Sequence, residues 1–373
     1  MKRTNTAKWI EEKKVWRIDV QRNKVRRSFY SSTPGRAGQR EANRKADEWL
    51  EVDKDEEDRL RLTVIDAYAE WEESIKLRTS TANWKPAINR MNKWLIPQIG
   101  HIKVSALTEQ HLQNVIDRAY KKGGLSAKSL RNIRGDISNF MKFCRKSSYT
   151  KLRPEDLEIP RGAEKKKKRI LTPAEVAVVF SSDRTVWMRR EMQDRYIYAY
   201  RLLVAEGLRP GELLAVKRSS IRGGELEIAE SFNSLQEVTK GKNDNARRKI
   251  KLSRYGMEAV EGQLAMLKKE GVISPLLFPA EDGGYVNHNC LRNNWYRYCE
   301  HNGIKRVTLY ELRHTFVSIL KDMPEGLKKI IVGHSASMDT EGIYAHEMEG
   351  DRELAATFVT SAFDRILSKT KVE

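Results

Sequence analysis

The chain has 373 residues and a formal net charge of +19 at pH 7, which allows two or three domains and points to a polyanionic partner such as nucleic acid. No apolar run is long enough to span a membrane, the N-terminus lacks the apolar segment of a signal peptide, and the three cysteines have no metal-ligand spacing. We therefore expect a cytoplasmic protein with reduced thiols, no membrane segment, and no motif for ATP or metal binding.

The first unit, residues 1–55, is predicted to be a small β-sheet with one helix. VWRIDV (15–20) alternates apolar and polar residues, and VRRSFY (25–30) follows a short basic turn, which predicts two strands. GQREANRKADEWL (38–50) has one apolar stripe and predicts a helix. The strands and their turn are expected to form a basic face that fits a DNA groove, made of Arg17, Arg22, Lys24, Arg26 and Arg27.

The second unit, residues 60–155, is predicted to be helical. One helix begins after Thr108 and ends at Gly124, and another occupies residues 126–147. The second of these helices has an apolar face opposite a basic face. That pattern suits a helix laid on DNA phosphates, although a solvated surface explains it equally well. The basic face carries Lys128, Arg131, Arg134, Lys142 and Arg145.

A basic connector separates the second unit from the third. RGAEKKKKR (161–169) predicts a flexible linker that follows DNA, and we place this linker at residues 156–168. Order resumes at LTPAEVAVVF, where Thr172 and Glu175 form a predicted capping box at the start of a helix. The third unit, residues 169–373, contains the candidate chemistry.

Two arginines of the third unit lie in distinctive local settings. In GLRPGEL, a helix is expected to end at Gly207 and a new one to start at Pro210, which holds Arg209 at the junction. In YELRH, Arg313 lies on a predicted helix. Either arginine alone is more typical of a surface ion pair, so neither indicates a site without the other motifs.

Lysine, histidine and tyrosine follow in further motifs. Residues 224–252 predict strands around a turn-rich loop that contains Lys240 and Lys242 in TKGK. VGHSASMDTEGIYAH places His334 ten residues before Tyr344. Each of these residues alone has an ordinary structural explanation, and only their joint occurrence indicates a site.

In chain order, GLRPGEL, TKGK, YELRH, VGH and IYAH resemble the motifs of tyrosine recombinases, specifically the integrases of temperate phages and integrative conjugative elements. The resemblance is detailed over residues 169–346. It extends more loosely to the family's helical core-binding domain at 60–155 and to an arm-type DNA-binding domain at 1–55. It implies a multidomain α+β fold, in which the catalytic domain, 169–373, is mainly helical with a small sheet.

The resemblance assigns a role to each motif residue. Tyr344 is the nucleophile that forms a 3′-phosphotyrosine, and a lysine of the hairpin is the general acid. Lys240 is favoured as that acid, which leaves Lys242 as a DNA contact. Arg209, Arg313 and His334 bind the scissile phosphate. Independently of the resemblance, guanidinium forks match the two nonbridging oxygens on which negative charge concentrates, and they keep their charge.

The motif YELRH departs from the family at Tyr310, where histidine is more frequent. A tyrosine hydroxyl can donate a hydrogen bond to a phosphate, but its high pKa makes it a poor proton carrier at pH 7. We therefore expect Tyr310 only to position the phosphate. His314 is expected to orient the phosphate or the helix, and Glu212 to support the helix start after Arg209.

These assignments predict a site-specific recombinase that integrates and excises a mobile element. It needs no cofactor, because the phosphotyrosine conserves the energy of the broken bond. The expected partners are double-stranded DNA with core-type and arm-type sites, other copies of the chain in a homotetramer, and an excisionase or DNA-bending accessory protein. The expected location is the cytoplasm, at the bacterial nucleoid.

Three alternatives stay open. A chromosome-dimer resolvase of the same family typically lacks a unit such as residues 1–55, and a type IB topoisomerase lacks the site-binding domains. A DNA-binding accessory protein without catalysis would not need the complete set of motifs. Covalent trapping on a nicked site distinguishes this last alternative.

Overall fold

The computed structural model describes residues 3–22, 25–51, 61–165, 168–240, 247–333 and 348–369. The chain forms two compact units, Met1–Lys166 and Lys167–Glu373. Within the described ranges, no helix is long and apolar enough to cross a membrane, and all three cysteines are free thiols. The boundary expected between residues 55 and 60 lies outside the described residues, so the division of the first unit into two domains stays a prediction.

The N-terminal part of the first unit is a three-stranded antiparallel sheet covered by one helix, in the order β1-β2-β3. Its core contains Ile18 and Val20 of the sheet and Ala42 and Ala46 of the helix. The predicted strands and helix are confirmed, and a short first strand is added to them. The elements are β1 (Lys8–Ile10), β2 (Val15–Arg22), β3 (Val25–Ser31) and α1 (Gly35–Glu51).

The arginines of this sheet are divided between its two faces, because successive side chains of a strand point in opposite directions. Arg17 and Arg26 lie on the outer face and both donate to the carboxylate of Asp19. Arg22 is buried on the helix-covered face, where it donates to the carbonyl oxygen of Trp49 at 2.7 Å. Arg27 also belongs to that face, over the ring of Phe29.

The prediction that five basic residues share one DNA-binding face is therefore wrong. Arg22 serves the packing of α1 instead, since its guanidinium also lies 4.7 Å from the ring centroid of Trp49. Lys24 lies outside the described residues. Contact with DNA stays a prediction for Arg17 and Arg26 on the outer face, and for Arg27 on the other face.

The remainder of the first unit is helical, as predicted, around a core in which Trp71 meets Phe140 edge to face. Thr108 caps the helix that begins at Glu109, and Gly124 ends it with a left-handed backbone conformation, as the sequence indicates. The helices are α2 (Val64–Arg78), α3 (Thr81–Trp94), α4 (Ile96–Ile99), α5 (Glu109–Gly123) and α6 (Ala127–Lys146).

The basic face of α6 is only partly open to solvent. Lys128 and Arg131 are exposed, whereas Arg134 is half-buried and donates to the carbonyl oxygen of Leu157 at 3.2 Å. Arg145 similarly donates to the carbonyl oxygen of Leu152. The segment that follows α6 therefore occupies part of the face that the sequence assigns to DNA.

The predicted linker at residues 156–168 is shorter than expected. Leu157 and Ala163 are buried in the helical core, and the backbone N–H of Ala127 donates to the carbonyl oxygen of Glu164. The charges of this segment indicate flexibility, but they are not its only feature. These two apolar side chains and the pairing of its backbone fasten most of it to the first unit.

The second unit has one large hydrophobic core, which includes Tyr200, Trp295, Tyr298 and Phe316. The capping box of Thr172 and Glu175 is confirmed at the start of its first helix. The helices are α7 (Pro173–Ser181), α8 (Ile197–Glu206), α9 (Pro210–Leu214), α10 (Arg254–Glu270), α11 (His288–His301), α12 (Leu309–Ile319), α13 (Glu325–Val332) and α14 (Asp351–Lys369).

Short strands complete the second unit, including those expected within residues 224–252. A three-stranded sheet has the order β10-β7-β6, and two hairpins pair β4 with β5 and β8 with β9. The strands are β4 (Arg184–Trp187), β5 (Arg190–Gln193), β6 (Ile221–Arg222), β7 (Glu225–Ile228), β8 (Ser231–Phe232), β9 (Val238–Thr239) and β10 (Arg248–Lys251).

Candidate active site

A helix break places Arg209 at the start of α9. Helix α8 ends at Gly207, whose φ of +62° favours glycine, and Pro210 begins α9. A Cβ atom at Gly207 would lie 2.2 Å from a ring carbon of Phe316 on α12. The glycine therefore permits both the turn and the close approach of α12.

Glu212 fixes this junction from inside the helix. One of its carboxylate oxygens accepts from the backbone N–H of Arg209 at 2.9 Å, and the other accepts from the Arg209 guanidinium at 2.6 Å. The side chain of Glu212 is buried. Its expected role in supporting the helix start is confirmed.

Arg248 of strand β10 completes the same cluster and was missed in the sequence. Its guanidinium donates to both carboxylate oxygens of Glu212, at 3.1 and 2.9 Å, and its side chain is almost fully buried. Arg248 shares a face of β10 with buried Ile250. An arginine at an inward-facing strand position indicates a buried partner, and that is the signal that could have identified it.

Arg313 approaches from α12, which begins at the capping box of Thr308 and Glu311. It is only 3% exposed. Its guanidinium donates to the carbonyl oxygen of Gly207 at 2.7 Å and to that of Val332 at 2.6 Å. Arg313 therefore connects the end of α8 with the end of α13.

Three arginines hold successive carbonyl groups at the C-terminal end of α13. Arg248 donates to Ile331 at 2.7 Å, Arg313 to Val332 at 2.6 Å, and Arg209 to Gly333 at 3.2 Å. The last carbonyl groups of a helix receive no hydrogen bond from within that helix. Here the three guanidinium groups donate those hydrogen bonds instead. We call this arrangement the arginine clamp.

The arginine clamp brings together two of the residues that the motifs single out, Arg209 and Arg313. The next candidate, His334, is bonded directly to Gly333 but lies outside the described residues, as do Tyr344 and Lys242. Lys240 is described, and it is exposed just after β9. The structure therefore shows the contacts of Arg209 and Arg313. The roles of His334, Tyr344, Lys240 and Lys242 stay predictions.

The clamp carries an excess of positive charge. Burial, followed by the charge of Arg209, lowers the pKa of Arg313 to about 10, so that its guanidinium stays protonated at pH 7. Burial alone would raise the pKa of Glu212, but hydrogen bonding and charge from Arg248, with Arg209, outweigh it and lower that pKa. Among the described residues, the carboxylate of Glu212 pairs with Arg209 and Arg248, and Arg313 adds a third positive charge nearby without a hydrogen bond to it. The excess of positive charge favours an anionic ligand.

Tyr310 and His314 lie one turn apart on α12. Tyr310 is 46% exposed, and its ring meets the imidazole of His314 edge to face, with 5.2 Å between the ring centroids. Nε2 of His314 lies 2.9 Å from the ammonium nitrogen of Lys168, a residue that the motifs do not indicate. Within the described ranges, no group of three or more acidic, histidine or cysteine side chains could hold a metal ion.

The amino-acid sequence matches two families of domains. Residues 169–350 match the phage integrase family, and residues 63–120 match the N-terminal SAM-like domain of phage integrases. Tyrosine recombinase XerC of Shewanella sp. (strain ANA-3) is 24% identical over 241 residues, which cover 63% of this chain and 74% of that protein. The first of these ranges, residues 169–350, contains all the residues of the arginine clamp.

Solved structures of DNA-bound integrases share the fold. The Tn1549 transposon integrase in complex with circular intermediate DNA has a TM-score of 0.63 at 17% identity, over 79% of this chain and 98% of that one. A lambda integrase tetramer bound to a Holliday junction has a TM-score of 0.56 at 14% identity, over 92% of this chain and 95% of that one. At these identities the likeness establishes the fold.

Proposed function

Because the chain belongs to the phage integrase family of tyrosine recombinases, we propose that it cuts and rejoins DNA at specific sites through a covalent bond to Tyr344. The observation that supports this best is the arginine clamp. Arg209 and Arg313 lie beside the end of α13, and the chain continues from there into His334. A site of this charge suits the phosphate of a DNA strand.

In the proposed reaction, the hydroxyl oxygen of Tyr344 attacks the scissile phosphorus, and the bond from phosphorus to the 5′ oxygen breaks. The product is a 3′-phosphotyrosine and a free 5′-hydroxyl, whose proton comes from Lys240, while the phenolic proton of Tyr344 passes to solvent water. Guanidinium groups of Arg209 and Arg313 stabilise the charge on the nonbridging oxygens. Attack by a 5′-hydroxyl from another strand reverses these steps, joins the strands and returns a proton to Tyr344.

The proposed biological role is integration and excision of a mobile element by a homotetramer on double-stranded DNA. Two solved relatives support this role, since one is a transposon integrase on circular intermediate DNA and another is a tetramer on a Holliday junction. An excisionase or a DNA-bending protein is a further proposed partner. Because the substrate is DNA, we place the activity in the cytoplasm, at the nucleoid of a bacterial host.

Covalent trapping tests the proposal directly. The full chain is incubated with a nicked duplex that carries a candidate core site from the DNA beside the gene. After cleavage, the short strand that carries the free 5′-hydroxyl diffuses away, so the phosphotyrosine cannot be religated. We expect a denaturant-resistant adduct whose DNA-linked peptide contains Tyr344. Binding without an adduct would identify an accessory protein, and adducts on any sequence would identify a topoisomerase.

The general acid can be separated from its neighbour by changing the leaving group. We expect Lys240→Ala to slow cleavage by about 10²–10⁴-fold, the usual contribution of general acid–base catalysis. Lys242→Ala, the matched control, is expected to slow it only mildly. A bridging 5′-phosphorothiolate leaves without a proton, so it should restore cleavage by Lys240→Ala. Rescue of Lys242→Ala instead would assign the acid to that residue.

The N-terminal sheet is proposed to bind arm-type DNA through its outer face. Deletion of residues 1–55 should abolish binding to arm sites and preserve cleavage of a core site, because the catalytic motifs lie in the other unit. Gel-shift titration of both kinds of site measures the two effects.

A point variant on the outer face refines this test. Arg26→Ala should weaken arm binding and reduce its salt dependence by about one counterion. The control is Arg44→Ala, which removes an exposed arginine from α1 that pairs with Glu48. Equal binding by the truncated chain, or equal losses in both point variants, would contradict the proposed surface.

A further inference from the structure

Lys168, at the end of the basic connector, contacts the motif histidine of α12. Its ammonium nitrogen lies 2.9 Å from Nε2 of His314, although the two residues are 146 positions apart. An ammonium group can only donate hydrogen bonds, so Nε2 of His314 must be the acceptor. The contact therefore requires a neutral imidazole with its proton on Nδ1.

The residues that follow Lys168 are fastened to the same helix. The backbone N–H of Arg169 donates to the carboxylate of Glu311 at 3.3 Å, and that of Leu171 donates to the hydroxyl of Thr315 at 3.0 Å. Both acceptors belong to α12, next to Arg313 and His314. The chain from Lys168 to Leu171 thus runs along the helix that carries two motif residues.

The side chain of Arg169 adds a second anchor. Its guanidinium donates to the carboxylate of Glu175 at 2.6 Å and to the carbonyl oxygen of Lys305 at 2.6 Å. Because these hydrogen bonds fix the backbone and the side chain of Arg169, they also fix the backbone next to Lys168 and keep its side chain close to His314. The contact therefore belongs to an ordered segment of the second unit.

The charges around His314 come from two elements. Lys168 approaches from the connector, while Arg313 and Glu311 lie on α12 itself. The ring of Tyr310, also on α12, meets the imidazole of His314 edge to face. Burial lowers the pKa of His314, the positive charges of Lys168 and Arg313 lower it further, and Glu311 opposes them. Loss of the Lys168 charge alone should raise this pKa toward its ordinary value.

Resting on the proposed function, we propose that Lys168 is a positioning residue, which fixes the neutral tautomer and the ring orientation of His314 in the active site. The connector then has a role beyond attraction to DNA, because its last lysine acts on the catalytic helix through one hydrogen bond. A guanidinium could replace the ammonium, since it is also a permanent donor without acceptor capacity.

Nuclear magnetic resonance of the full chain without DNA tests the contact. The imidazole nitrogens are labelled, and His314→Gln identifies the resonances of His314 among the seven histidines. In the unsubstituted chain we expect the proton on Nδ1. In Lys168→Ala the titration midpoint of His314 should move to higher pH, and Lys168→Arg should keep it near the original value.

Lys165→Ala is the matched control, because it removes an exposed lysine from the same basic run. It should leave the His314 titration unchanged. An unchanged midpoint in Lys168→Ala, or equal shifts in both alanine variants, would refute the contact. Since this measurement uses no DNA, its outcome is independent of whether the protein is a recombinase.

The pH profile of covalent adduct formation tests the positioning role. Lys168→Ala should shift the limb that depends on His314 to higher pH, in the direction of the shift seen by resonance, and Lys168→Arg should reverse this change. A shifted His314 titration with an unshifted cleavage profile would show that the contact does not act on the reaction. Absence of any adduct from the unsubstituted chain would instead refute the proposed function.

Discussion

Tyr344→Phe should form no covalent DNA adduct while it binds core-site DNA as tightly as the unsubstituted chain. The substitution removes one hydroxyl group, the proposed nucleophile, and leaves the basic surfaces that attract DNA unchanged. Two measurements are needed: denaturing gels of the trapping reaction, and gel-shift titration at a fixed salt concentration. We expect the adduct to fall below detection and the dissociation constant to stay within about twofold.

Tyr310→Phe provides the matched control for this variant, since it removes a hydroxyl from another tyrosine of the motifs. Loss of one neutral hydrogen bond should cost on the order of 1 kcal/mol, which slows cleavage about fivefold and still leaves an adduct. An adduct formed by Tyr344→Phe would show that a different residue is the nucleophile. An inactive Tyr310→Phe would show that Tyr310 takes part in the chemistry.

Arg313→Ala should be close to inactive in single-turnover cleavage of the nicked core site. Loss of one donor to a transition-state oxyanion typically costs about 10²–10³-fold in rate, and loss of a full charge should cost at least that much. The substitution also removes the donor from the carbonyl groups of Gly207 and Val332. We therefore expect a lower thermal unfolding midpoint as well.

Arg201→Ala separates the catalytic loss from the structural one. Arg201 is a part-buried arginine of the same unit that also donates to two carbonyl oxygens, those of Val179 and Ser182. Arg201→Ala should have a lower thermal unfolding midpoint than the unsubstituted chain. It should still cleave DNA at temperatures well below that midpoint. If both variants lost cleavage in proportion to their stability, Arg313 would have only a structural role.

The local geometry at the start of α9 could be predicted from the sequence, because glycine and proline act on the backbone next to them. Gly207 ends one helix and Pro210 begins the next, and both effects need no distant partner. The capping boxes and apolar stripes are similarly local signals. For this reason the predicted helices and strands agree with the structure, although the short strand β1 and the hairpin β4–β5 were not anticipated.

Contacts between distant parts of the chain could not be predicted. Arg248 lies 36 residues from Glu212, and Lys168 lies 146 from His314. Strand alternation can indicate that Arg248 is buried, but which residue each of these side chains contacts depends on packing that no local pattern reveals. Arg22 is a different case. Its position two residues after buried Val20 on a strand already places it on the inner face, because side chains alternate along a strand, and this alternation excludes it from a basic outer face.

The arginine clamp has a consequence for the energetics of DNA binding. A free arginine side chain samples many rotamers, and fixing it costs about 1.5–2 kcal/mol of conformational entropy. Arg209 and Arg313 are already held by Glu212 and by the backbone of Gly207, Val332 and Gly333. Most of this entropy is therefore lost when the protein folds, before DNA binds. Binding of a phosphate does not have to fix these two side chains again, so its affinity is not lowered by that loss of entropy.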